Sequence, residues 1–284
     1  MQALSERLGE AFVGATVSRL DVLGFSALKT VRPTPADLAG ARLVGTGRRA
    51  KYLILELVSA GGGSLAAPAG DLRLVVHLGN AGRLDIEEPA KATRPRGALA
   101  RLGFADGRAL LLREHGTQRK AGLWILAAGD EGPLAGLGPE VGDEAFEQLL
   151  LGGDSTRQLH TLLRDQHFLA GVGRGYADDA LNRAGLSPFV SLRSLSPGQR
   201  QRLVEAVREA VAEGLEKERG RSGGLSAARL GEHFVVHNRA GQPCPRCGSS
   251  LQRVSFDSHE VAYCPSCQTK GKVLADRRLS RLLR

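Results

Sequence analysis

At 284 residues the chain is long enough for two domains with real cores, and its formal net charge of +9 favours polyanionic partners. Hydrophobic residues make up 42 % of it, yet no apolar run reaches the ~18 residues of a membrane span. No signal peptide opens the sequence to argue for an oxidising compartment, so a cytoplasmic protein with reduced thiols is expected.

The first twelve residues place Leu4, Leu8, Ala11 and Phe12 at the spacing of one helix face. Residues 13–126 then read mostly as short strands, expected over 15–22, 43–44, 52–58, 72–78, 99–104, 109–113 and 123–126. Glycine-rich or Asp-Gly turns separate them, notably Ala105-Asp106-Gly107. Many short strands at this spacing suggest a β-sandwich. Residues 59–70 (SAGGGSLAAPAG) form a low-complexity insertion or hairpin loop.

From Leu137 the pattern turns helical, with helices expected over 143–151, 156–165, 177–184, 196–216 and 226–232. Ser196-Pro197 offers a cap followed by a first-turn proline. Leu203, Val207, Ala210, Val211 and Leu215 form one apolar stripe, read as core packing.

The four cysteines are arranged as Cys244-x-x-Cys247 and, after sixteen residues, Cys264-x-x-Cys267. Each pair offers two thiolates from one tight turn, and a β-hairpin between the pairs brings all four onto one tetrahedral zinc. Disulfides and four unrelated thiols are the alternatives. From 239 to the end, nine basic residues (Arg239, Arg246, Arg253, Lys270, Lys272, Arg277, Arg278, Arg281, Arg284) face three acids (Asp257, Glu260, Asp276). Such a cluster beside a metal-stiffened hairpin suits phosphate contacts, the bland alternative being a solubilising tail. Upstream, Gly171, Gly173 and Gly175 let the backbone turn tightly before a helix expected to begin near Tyr176. Backbone N–H groups at such a start suit a phosphate.

The run Asp165-Gln166-x-x-x-Ala170-Gly171-Val172-Gly173-Arg174-x-Tyr176-Ala177-x-Asp179 resembles the helix–two-turn–helix motif of the formamidopyrimidine-DNA glycosylase/endonuclease VIII family. Arg48-Arg49-Ala50-Lys51-Tyr52-Leu53 is similar to a strand of that family. His77-Leu78-Gly79-Asn80-Ala81-Gly82 is similar to one of its loops, and Leu137-Gly138-Pro139-Glu140 to its interdomain link. Gly116-Thr117-Gln118-Arg119-Lys120 and the extension past Cys267 resemble one bacterial branch. Nearly the whole chain is covered.

The resemblance implies an α+β fold: an N-terminal β-sandwich with flanking helices, a C-terminal helical domain carrying the helix–two-turn–helix, and a zinc-ribbon β-hairpin. The division expected is 1–128 for the sandwich domain, 129–140 for the linker, 141–238 for the helical domain, 239–270 for the zinc finger and 271–284 for a basic tail. It implies a bacterial base-excision-repair enzyme, a monomer with one structural Zn2+ and no membrane partner. Its partner would be duplex DNA with damaged or abasic sites. In the family a flipped nucleotide is attacked at C1′ by an N-terminal proline amine, a Schiff base forms, and β-elimination cuts the strand.

By the same resemblance Lys51 contacts the phosphate beside the lesion and donates the proton for β-elimination. Arg119 enters the duplex and faces the orphaned base. Asn80 and Ala121 stand at the other two wedge positions, where Ala121 is too small to wedge. Gly173, Arg174 and Tyr176 belong to the phosphate-gripping motif, with Arg174 in place of an asparagine. Arg253 and His259 lie near the position of a zinc-hairpin arginine, and Gln166 braces the motif. His77 is either catalytic support or a strand-end histidine.

Family members begin Met-Pro-Glu, whereas this chain begins Met1-Gln2-Ala3-Leu4. The alignment of residues 12–17 expects a true start upstream of Met1. The competing reading is a damaged-DNA-binding relative without glycosylase chemistry, and a third, a zinc-ribbon RNA-binding or transcription protein, is disfavoured by the 165–179 motif.

Overall fold

A computed structural model describes the chain except residues 60–70, 117–119, 227–231, 257–258 and 275–284, and except the side chains of Phe256 and His259. It divides into two compact units: 1–135 with 222–228, and 136–221 with 229–284.

The first unit opens with α1 (Gln2–Phe12), whose Leu4, Leu8 and Phe12 are buried as their spacing predicts. Eight strands follow: β1 (Val17–Val22), β2 (Arg42–Arg49), β3 (Tyr52–Val58), β4 (Leu72–His77), β5 (Gly82–Glu87), β6 (Ala98–Phe104), β7 (Ala109–Glu114) and β8 (Gly122–Ala127). They pair antiparallel in two four-stranded sheets, ordered β2-β3-β4-β8 and β1-β6-β7-β5. Alternating apolar residues from both sheets, such as Leu53, Leu55, Leu57, Leu84, Leu102 and Leu112, share one core with α1. Phe12 stacks on Phe104 at 4.4 Å. The Arg108 guanidinium lies 4.6 Å from the centre of the Phe12 ring and donates to the Ala11 carbonyl, satisfying a helix-end acceptor.

Strand β5 escaped the sequence reading because its alternation breaks: Leu84 is buried, Ile86 exposed and Glu87 buried again. Glu87 is tolerated inside because Arg101 pairs with it at 2.7 Å, both side chains being 6 % exposed. Leu225 joins the sandwich core, and the Ser226 hydroxyl accepts the Leu84 N–H at 2.8 Å. The helix expected over 226–232 lies largely outside the described residues.

In the second unit α2 (Glu144–Gly152), α3 (Leu159–Leu163), α4 (Arg174–Ala184) and α5 (Pro197–Arg219) precede β9 (Gln252–Phe256), β10 (His259–Tyr263) and α6 (Pro265–Thr269). Ser196 caps α5 in a reciprocal box with Gln199. Leu203, Val207 and Ala210 bury the α5 stripe against Leu159, Leu163, Val172 and Leu181. Helix α3 is shorter than expected because Gln158 bridges Ser191 and the Leu159 N–H bonds the Val190 carbonyl. Among the described residues no helix is long and apolar enough to cross a membrane.

Candidate nucleic-acid interface and zinc centre

The hairpin β9–β10 joins the two cysteine pairs, in register from His259↔Phe256 to Tyr263↔Gln252. The four Sγ atoms converge within 4.8 Å of one another, and the cysteines form no disulfide. Tetrahedral zinc with Zn–S bonds of ~2.3 Å separates its sulfurs by roughly 3.8 Å, and Cys247 Sγ lies 3.5 Å from Cys264 Sγ. Backbone N–H groups point at the sulfurs, Arg246 N to Cys244 Sγ and Cys267 N to Cys264 Sγ, each at 3.4 Å.

Four sulfurs this close cannot all carry negative charge without a cation. Hydrogen bonds from Ser249 bring the Cys247 thiol down to about 6, while burial and the neighbouring sulfurs push Cys267 up to about 12. A divalent ion relieves that conflict. The donor set therefore fits one structural zinc, and the reading of two cooperating knuckles holds over disulfides or unrelated thiols.

Helix α4 starts two residues before the expected position, with Gly173 as N-cap and Arg174 as first residue. Gly175 argues against helix by propensity, but the Phe234 ring occupies the space a Cβ would need, at 2.3 Å. The two-turn loop ahead of α4 is braced by Gln166, as expected. Its amide donates to the Arg164 and Val172 carbonyls at 2.8 Å and accepts the Gly171 N–H at 3.0 Å. Arg174 lies close enough to Arg164 that the two cations oppose each other; burial first, then Arg174, lowers the Arg164 pKa. Arg174 thus adds positive charge at the start of the helix, beside that of Arg164.

Tyr176 is half-buried. Its ring sits against His233, Phe234 and Gly214 of α5, and burial pushes its pKa up to about 12. It is a packing residue here, since α5 and the 233–234 segment close over the face it occupies. Further along α4, Asp179 accepts the N–H groups of Val235, Val236 and His237 at 2.9–3.1 Å, and His237 Nδ1 lies 2.6 Å from Asp178. Helix α4 thus grips the segment leading to the zinc hairpin. Arg253 on β9 pairs with Glu260 at 2.9 Å across the hairpin. Both are partly exposed, so the pair contributes little. The side chain of His259 lies outside the described residues, as does Arg119.

In the first unit Lys51 occupies the tight turn between β2 and β3, beside Ala50 at φ 54°, just before the strand expected from Tyr52. Tyr52 pairs with His77 in register, and their rings are 4.9 Å apart. His77 Nδ1 accepts the Gly79 N–H at 3.1 Å, which leaves the proton of the neutral ring on Nε2. Burial first, then the nearby Lys51 charge, lowers the His77 pKa, opposed by a bond to the Lys120 backbone and by Glu114. His77 therefore ties the 79–82 turn to the 120–121 segment. Asn80 is exposed at that turn. Ala121 is not: it is 3 % exposed, and its N–H is held by the Glu114 carboxylate. A wedge role for Ala121 is ruled out by that burial.

The lowered pKa gives a pH test. Below the ordinary value of 6.5 the unfolded chain takes up a proton at this histidine that the native chain resists, so native stability falls as pH drops through that window. His77→Asn is expected to flatten the fall in urea midpoint between pH ~7 and ~5. Equal pH slopes for the two proteins would contradict the buried neutral ring.

Comparison with known proteins decides the family. The model of the formamidopyrimidine-DNA glycosylase N-terminal domain matches residues 1–123, that of the formamidopyrimidine-DNA glycosylase H2TH domain residues 137–224, and that of the zinc finger found in FPG and IleRS residues 241–270. The formamidopyrimidine-DNA glycosylase of Thermus thermophilus is 37 % identical over 264 residues, covering 88 % of this chain and 93 % of its own. That of Chloroflexus aurantiacus is 31 % identical over 282 residues, covering 94 % and 95 %. The chain belongs to the formamidopyrimidine-DNA glycosylase family. The crystal structure of the MutM (Fpg) protein from Thermus thermophilus superposes with a TM-score of 0.77 at 31 % identity, covering 95 % of this chain and 97 % of that one. A Lactococcus lactis Fpg in complex with DNA containing an abasic site shares the fold at a TM-score of 0.76 and 22 % identity, covering 94 % of this chain and 97 % of that one.

Sequence reading missed Arg164, Asn182 and Gln268 as site-forming residues and gave no role to Asp178 or Asp179 within the motif. Charge and amide groups inside an otherwise apolar helix pattern, as at 178, 179 and 182, were the available signal.

Proposed function

We propose that this member of the formamidopyrimidine-DNA glycosylase family acts on duplex DNA as a glycosylase and AP lyase, removing oxidised bases. The observation that carries the reading is α4 itself. Its N-terminus presents Gly173 and Arg174, and its last turn is bonded to the first cysteine knuckle through Arg246, so one helix links two cationic elements suited to phosphates.

In the first unit Lys51, on its tight turn, supplies the cation for the phosphate next to the lesion and the proton for β-elimination. Asn80, exposed at the neighbouring turn, faces the space a flipped nucleotide leaves, and Arg119 follows the same assignment. The β2–β3 and β4–β5 turns are held in place through Tyr52 and His77, which keeps water-exposed groups at fixed positions for the reaction. Arg253 and His259 offer further phosphate contacts on the zinc hairpin. The attacking amine in the family mechanism is that of an N-terminal proline. The first proline of these 284 residues is Pro33, inside a loop, and Met1 instead caps α1 and packs on the sandwich core.

A second reading is a relative that binds damaged duplex without turning it over. Borohydride trapping on duplex DNA with an abasic site separates the two. The 284 residues alone are expected to bind without a covalent adduct. The same chain preceded by the family's Met-Pro-Glu start is expected to trap. If the extended chain binds the duplex and still fails to trap, the binding-protein reading stands; an adduct from the 284 residues alone would overturn the assignment of the nucleophile.

A further inference from the structure

We infer that Asn182 is a positioning residue of the zinc centre, and that through it the metal sets the rigidity of α4. The inference uses the zinc site and the fold and does not depend on the proposed reaction.

Asn182 lies in the last turn of α4 and is 2 % exposed. The orientation of its amide is fixed by a chain of donors. The Cys264 N–H donates to Gln268 Oε1 at 2.7 Å, so Gln268 Nε2 is the end that donates to the Leu186 carbonyl at 2.8 Å. Gln268 Oε1 must then accept from Asn182 Nδ2, at 3.0 Å. An amide nitrogen carries two hydrogens. The second points at Cys244 Sγ, 3.7 Å away. One side chain of α4 therefore reaches both knuckles: the sulfur of Cys244 from the first pair and, through Gln268, the backbone of Cys264 from the second.

A third strand of the contact returns through the backbone. Arg246, between Cys244 and Cys247, donates from Nη1 to the Asn182 carbonyl at 2.8 Å, and a Cβ on Gly185 would lie 2.9 Å from the same Nη1. That guanidinium satisfies a helix-end carbonyl and places positive charge at the negative end of the helix. The buried Asn182 amide has no water to turn to if the thiolate moves. Loss of the ion lets four like-charged or protonated sulfurs separate, which unseats Asn182, Gln268 and Arg246 together. The start of α4 at Arg174 is eight residues away, about 12 Å along a rigid helix, so slackening at Asn182 reaches the charged start of the helix.

Two measurements test this. In the first, Asn182→Leu, close in volume and without donors, is compared with the native chain in competition with a chromophoric chelator. A zinc affinity lower by ~10–100-fold is expected, the range for an outer-shell partner of a metal ligand. The cobalt-substituted protein should also show a shifted sulfur-to-cobalt charge-transfer band, which a packing role alone would not move. In the second, hydrogen exchange of the native chain is followed with zinc bound and after verified removal. Residues 174–184 are expected to lose roughly tenfold or more in protection. Unchanged zinc affinity and cobalt spectrum in the variant would overturn the positioning role. Equal protection of 174–184 with and without zinc would overturn the coupling, and this arm holds even if the variant fails to fold.

Discussion

Removing zinc is expected to abolish DNA binding while the β-sandwich unit stays folded. The zinc hairpin has a small core of its own, built from Val236, Leu251, Ala262 and the cysteines Cys244 and Cys264. A two-stranded hairpin is marginal in water by itself, and structural zinc supplies roughly 10–16 kcal/mol in comparable small sites. No comparable dependence exists in the first unit, whose core joins both sheets and α1 without a metal ligand among the described residues. The single tryptophan, Trp124, sits on β8 of that unit and reports on it alone. Chelation should leave Trp124 emission and its thermal transition in place while affinity for an abasic duplex drops by more than ~100-fold. Equal DNA affinity after verified zinc removal would refute the dependence.

Arg174→Glu is expected to weaken duplex binding by about 10–1,000-fold with little change in stability. A charge-assisted bond to phosphate contributes roughly 1.5–3 kcal/mol, and reversing the charge adds repulsion. Arg174 stands at the first position of α4, half-buried, where the helix needs no side chain of a given charge to form. Removing a cation beside Arg164 relieves a like-charge contact in the free protein, so thermal stability should hold or rise slightly. The salt dependence carries the signature. For Arg174→Ala, the slope of log affinity against log salt should shrink by about one unit. An unchanged slope with unchanged affinity would remove Arg174 from the interface.

Periodic apolar spacing made most of the fold legible. The α1 stripe and β3 appear where the pattern of Leu4, Leu8 and Phe12 and the alternation of 52–58 predicted them. Strand β5 did not, because a charged residue turns inward at Glu87 and is satisfied only by Arg101 from another strand, a partner invisible to local pattern. The early start of α4 was hidden for a similar reason: Gly175 is disfavoured in a helix until Phe234, 59 positions later, fills the space beside it. Metal ligands were plain from spacing alone. The amides and carboxylates that support them were not, since Asn182 and Gln268 are 86 positions apart and meet only in the folded chain. Residues carried over by resemblance met mixed ends. Arg174 opens α4 two residues ahead of the expected start, Tyr176 is half-buried against His233 and Phe234, and Ala121 is sealed beneath Glu114.

The most direct measurement is an anisotropy titration of the 284-residue chain with a duplex carrying one abasic site, run beside the undamaged duplex over a range of salt. If the proposed function holds, the chain should prefer the abasic duplex by at least ~10-fold and lose affinity steeply as salt rises. No binding to either duplex, or binding that is equal for both and insensitive to salt, would contradict it.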